Sequence, residues 1–252
     1  MLLFLRFLPF VAALFLGGGA VWASQSGLSA GWILTGTWFM SVVVQILLIR
    51  TGPRRLRSWA LLGIPLLFSA FGLLFFLFLE SSQARIAIGI LLAAGVFIWD
   101  DNLFFYVHAP AGYRVNSLEY LTLALAITAI FFLSAAGYGG VLFLQESVWF
   151  FAVAWMMAAW LLFWCLWWVC KKERPCFTAV IHAFVLVQLF AALSFLPSSP
   201  FVNASLLALA AYTLFGLQRA QTLHRIGKRL VGRFSVVVIV LAVIVIGTAR
   251  WK

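Results

Sequence analysis

From Val148 to Cys170 the chain reads VWFFAVAWMMAAWLLFWCLWWVC, 23 residues without a charged side chain, and other long apolar runs are spread over its 252 residues. A hydrocarbon layer ~30 Å thick takes about 20 such residues per helical crossing, because in lipid each segment must satisfy its own backbone hydrogen bonds. Runs of this length leave one fold class, an all-α polytopic transmembrane bundle. Their bounding charges and turn residues predict about nine spans, at roughly 4–23, 31–49, 58–79, 86–107, 117–136, 148–170, 177–196, 202–217 and 234–249. Composition closes off a water-soluble core, since 65% of residues are hydrophobic and only 9% charged, too little polar surface to face water. The expectation is a single integral-membrane domain over residues 1–252 with short connections. Arg6 before an apolar run that ends Val-Trp-Ala resembles a signal peptide cut after Ala23. The run is longer than such a segment and is broken by Pro9 and three glycines, so it is read as a retained first helix.

Charge sets the expected orientation. The net charge is +11, which in a membrane chain points to basic cytoplasmic loops rather than nucleic acid. With the N-terminus inside, fourteen of the seventeen Lys and Arg fall on the cytoplasmic side, and only Arg85, Arg250 and Lys252 lie outside. The C-terminus is then outside, and the location is a bacterial-type plasma (inner) membrane. Residues 218–233, QRAQTLHRIGKRLVGR, form a basic interfacial loop or an in-plane helix. Ala220, Leu223, Ile226, Leu230 and Val231 share one side, and Arg225, Lys228, Arg229 and Arg233 face anionic lipid headgroups from the other.

Other features carry less. Cys165, Cys170 and Cys176 surround the basic loop KKERP, where a reducing compartment keeps thiols, and their spacing does not suit zinc. Trp149, Met156, Trp160, Trp164 and Trp167 lie within about 80° on a helical wheel. The deeper Trp155 and Trp160 call for indole N–H partners. Asn203-Ala204-Ser205 matches a glycosylation acceptor but abuts a span, and no repeat relates the two halves.

Residues 98–120, IWDDNLFFYVHAPAGYRVNSLEY, hold three of the six acids, Asp100, Asp101 and Glu119, together with His108 and Arg114. Two readings compete. In the first, helix four continues to Val107 and Asp101 lies six residues, ~9 Å, short of its inner end. Gln45, Asp100, Asp101, Glu119 and His182 then come from four helices at one level of the inner leaflet, as bundle-core sites are built, and Asp101 and His108 share a helix face. In the second, the helix stops near residue 99, and residues 100–116 are a wet loop in which Arg114 pairs with Glu119.

The sequence carries no nucleotide-binding, HExxH or serine-nucleophile motif. The leading expectation is accordingly a scaffold or subunit of an envelope or membrane complex, without chemistry or cofactor of its own. The alternative is an inner-leaflet enzyme acting on a lipid-linked phosphate. There Asp100, Asp101 and Glu119 hold Mg2+, hard oxygen ligands for a hard cation, with His182 and His108 as further catalytic candidates. The third reading is a transporter or flippase, for which only Gln188, with Thr178 or Ser194, extends a polar path along the seventh helix.

Overall fold

Helix starts and stops follow local chemistry. Ser81 and Ser147 cap helix N-termini, accepting from the backbone N–H of Ala84 at 3.5 Å and of Trp149 at 3.3 Å. Pro175 and Pro200 each open a helix, where a missing N–H costs nothing. Gln145 leaves its helix at φ 54° and Asn116 precedes one at φ 65°, left-handed backbone that asparagine tolerates better than most side chains. The computed structural model describes residues 2–26, 30–50, 59–114, 116–170 and 175–222, and beyond these only single residues and short pieces between 232 and 247. In order come α1 (Leu2–Gln25), α2 (Ala30–Arg50), α3 (Trp59–Leu77), α4 (Ser82–His108), a 3-10 turn (Pro110–Gly112), α5 (Ser117–Leu144), α6 (Val148–Val169), α7 (Pro175–Ser194) and α8 (Pro200–Thr222).

There is no strand among the described residues. Seven of the helices are long and apolar enough to cross a membrane, and the apolar part of α3, Leu61–Leu77, is shorter. An integral membrane protein is the class this marks. Three expected boundaries are corrected. Helix α4 begins at Ser82 rather than 86, because Ser81 supplies the cap. Helix α5 continues past 136 to Leu144, through Gly137, Gly139 and Gly140. Helix α8 continues past 217 to Thr222 and absorbs the start of the basic segment. Of the expected ninth span, Ser235–Val237, Ile239–Leu241, Val243 and Gly247 are described, and they are helical.

Contacts group the chain into two units, Met1–Leu125 and Ala126–Lys252. In the first, α1 lies against α4 and α2, while α3 packs on α4 and α2. Lipid offers apolar side chains no less than another helix does, so close association rests on small residues that let backbones approach. A Cβ placed on Gly89 of α4 would stand 2.5 Å from the Ala20 Cβ of α1, and one on Gly17 would stand 3.1 Å from the Ala93 Cβ. Ala12, Ala20 and Ala23 are fully buried on that face of α1. In the second unit, α6 packs on α7 and α7 on α8. There the Tyr138 ring of α5 stacks on Phe190 at 4.3 Å, and its hydroxyl donates to the Phe190 carbonyl at 3.0 Å.

Candidate functional site

The α4 helix does not stop at residue 99. It continues to His108 and ends where Pro110, which disfavours helical backbone at the residue before it, takes over. The wet-loop reading of residues 100–116 is therefore corrected for its first nine positions. Asp100 lies within the helix and is only 1% exposed. It is eight residues from the helix end, ~12 Å at the helical rise.

His108 closes the C-terminal end of α4. Its Nε2 lies 2.9 Å from the Leu48 carbonyl oxygen of α2. A carbonyl only accepts, so Nε2 carries the proton and donates. The hairpin that follows is tied to α4 and α5 by side chains. Ser117 Oγ donates to Asn102 Oδ1 at 2.9 Å, the Leu118 N–H donates to the Tyr113 hydroxyl at 3.3 Å, and the Tyr113 ring meets Tyr106 edge-on at 5.2 Å. His108 is thus a clasp between α4 and α2.

Facing inward from α2 is Gln45, also 1% exposed. Its side chain comes close enough to the Asp100 carboxyl to act on it as a hydrogen-bonding group. Neither carboxyl oxygen nor Gln45 Oε1 completes a hydrogen bond of ordinary geometry among the described residues. One turn earlier on the same face of α2, the Ser41 hydroxyl is equally buried and equally without a partner among the described residues. Most buried polar groups in folded proteins are satisfied, and an orphan demands a reason. Gln45 and Asp100 were expected at one depth, and the fold brings them together. Ser41 is the member that sequence reading missed. Nothing in its residue type separates it from the other helical hydroxyls.

The remaining candidates lie elsewhere. Asp101 and Glu119 are partly exposed, and among the described residues no three His, Cys, Asp or Glu side chains group so as to hold a metal ion. Asp100, Asp101 and Glu119 therefore do not converge. His182 belongs to the second unit, buried among Phe163, Trp167 and Phe215 with ring centroids 6.1, 5.2 and 6.3 Å away. Its Nδ1 donates to the Thr178 carbonyl at 2.7 Å, by the same argument that fixed the His108 proton. Gln188 sits on the exposed face of α7. Trp155 finds its expected partner in the Ser134 hydroxyl at 3.1 Å, whereas the Trp160 indole N–H has none among the described residues. The three cysteines are free thiols. Arg225, Lys228, Arg229 and Arg233 lie outside the described residues.

Asn203 also escaped sequence reading as a functional position. Its Nδ2 donates to the Leu193 carbonyl at 2.9 Å and its Oδ1 accepts from Ser198 Oγ at 2.5 Å, joining α8 to the end of α7. No family model matches the chain, and no curated protein or solved structure matches it significantly.

Proposed function

We propose that the protein is a multi-pass scaffold or subunit of a membrane complex, without a reaction of its own. In this reading about nine helices span a plasma membrane of bacterial type, with the N-terminus in the cytoplasm and the C-terminus outside. The fourteen-to-three division of Lys and Arg supports that orientation. The cytoplasmic side, through Arg225, Lys228, Arg229 and Arg233, engages anionic headgroups.

One observation carries the non-catalytic reading. Four polar side chains at the described helix ends hold segments together: His108 on Leu48, Ser117 on Asn102, Asn203 on Leu193, and Arg85, whose Nε donates to the Leu79 carbonyl at 2.7 Å. A hydrolytic or transferase site would instead aim such groups at a shared point.

The test is a double-mutant cycle on Asp101→Asn and Glu119→Gln, followed by thermal unfolding in detergent with and without Mg2+. Independent positions add within ~0.5 kcal/mol, whereas members of one site couple by about 0.5–3 kcal/mol. Additive effects indifferent to Mg2+ are expected. Strong coupling together with stabilisation by Mg2+ would transfer the case to the lipid-phosphate enzyme.

A further inference from the structure

Helical serines and threonines in this protein follow a habit. Thr35, Thr37, Ser69, Thr122, Ser134, Ser205 and Thr213 each donate the hydroxyl to the carbonyl one turn earlier, at 2.6 to 3.3 Å. That bond is the default way to satisfy a hydroxyl inside a membrane helix. Ser41 breaks the habit while only 2% exposed. It lies one turn from Gln45, which reaches the Asp100 carboxyl across the contact between α2 and α4.

The result is four buried oxygen atoms, Ser41 Oγ, Gln45 Oε1 and both Asp100 Oδ, with no hydrogen-bond partner among the described residues. Along the same two helices Leu48, Leu92, Val96, Leu103 and Phe104 are buried and apolar.

The chemistry of this set is selective. It offers a carboxylate, an amide carbonyl and a hydroxyl, all hard oxygen donors and none of them soft, which suits alkali and alkaline-earth ions and not zinc or copper. With Asp100 ionised it holds one formal negative charge. The neighbouring Asp101 projects ~100° further round the helix and is partly exposed, so it adds no second charge to the set. A single carboxylate in an apolar surround balances one positive charge and leaves a divalent ion undercompensated. Intramembrane acids that face a bundle interior mark ion or proton paths, and here the interior-facing acid is accompanied by two neutral oxygen ligands.

We propose that Ser41, Gln45 and Asp100 form an intramembrane binding site for a hard monovalent cation, with Na+ as the test ion. The site lies wholly within the first unit and does not depend on the scaffold reading. A membrane-complex subunit and a solute carrier can both house it.

The experiment uses the full-length protein in detergent, melted by tryptophan fluorescence in NaCl, KCl, LiCl or choline chloride at equal ionic strength and fixed pH. A ligand that binds only the folded state stabilises it in proportion to the logarithm of its concentration over the dissociation constant. A hundredfold excess therefore raises the midpoint by roughly 5–10 °C for a chain of this size. The expected result is a rise that grows with the logarithm of the Na+ (or other alkali-ion) concentration and is absent in choline. Asp100→Asn should abolish it, Ser41→Ala should need at least threefold more ion for the same rise, and Asp101→Asn should leave it intact. Equilibrium binding of radiolabelled Na+ to the wild type, compared with Gln45→Leu, keeps the test decisive where Asp100→Asn does not fold. The proposal is overturned by a melt that no alkali ion shifts and a tracer that does not bind. It is equally overturned by a shift that survives Asp100→Asn, or by one produced by Mg2+ and not by monovalent ions.

Discussion

Replacing Gly89 by alanine should destabilise the protein, although alanine is the better helix former by ~1 kcal/mol. The added Cβ would stand 2.5 Å from the Ala20 Cβ, with the Ala20 Cα at 3.8 Å and the Gly17 carbonyl oxygen at 4.0 Å. Carbon atoms rest about 3.5–4.0 Å apart, so α1 and α4 would have to separate by roughly 1 Å. Neither Cβ can rotate away, since each is fixed to its own backbone. Overpacking of this kind costs about 1–3 kcal/mol. Against the propensity gain, the net loss is up to about 2 kcal/mol, a fall in midpoint of up to roughly 8 °C at this chain length. Twelve tryptophans make fluorescence melting the natural assay. Gly18→Ala, whose Cβ meets nothing within 4 Å, is the control and should be neutral or slightly stabilising. Adding Ala20→Gly to Gly89→Ala should recover most of the loss. A Gly89→Ala protein as stable as Gly18→Ala would refute close backbone approach as what holds α1 to α4.

Asn203→Leu removes both bonds of the α7–α8 clasp and leaves the Leu193 carbonyl with the Leu196 N–H alone, and should cost about 1–3 kcal/mol in thermal unfolding. Reporter fusions should find residues 50–57, 171–175 and 218–233 in the cytoplasm and residue 252 outside. A cytoplasmic C-terminus would reject the nine-span topology. Replacing Arg225, Lys228, Arg229 and Arg233 by Gln should weaken retention of anionic lipid in native mass spectrometry, and unchanged retention would leave that loop a purely topogenic role.

Apolar run length made the fold class legible, since nothing but the bilayer accommodates such runs. Helix ends were less legible where glycine carries two meanings. Gly137 and Gly140 lie just past the expected end at 136, yet they are inside α5, where the rings of Phe190 and Phe151 occupy the space their side chains would take. At the candidate site, counting back from Arg50 and from the end of α4 placed Gln45 and Asp100 at one depth, because depth follows from helical rise alone. Rotation about the helix axis does not follow from counting. That is why Asp100 and Asp101, adjacent in sequence, part company into buried and partly exposed, and why Ser41 gave no signal. Its distinction is a hydrogen bond it does not make.

The length of α5 ties this protein to the thickness of its surroundings. From Leu121 to Leu144 the helix is apolar to its last turn, where Leu142, Phe143 and Leu144 are exposed. Those 24 residues span ~36 Å at the helical rise, against a hydrocarbon layer of ~30 Å. Greasy side chains at the end of a rod cannot be parked in water, so the excess is absorbed by tilting, kinking or local thickening of the bilayer. Lipids with longer acyl chains let the rod stand more upright and thinner ones lay it over, so acyl-chain length becomes a mechanical variable acting directly on this helix.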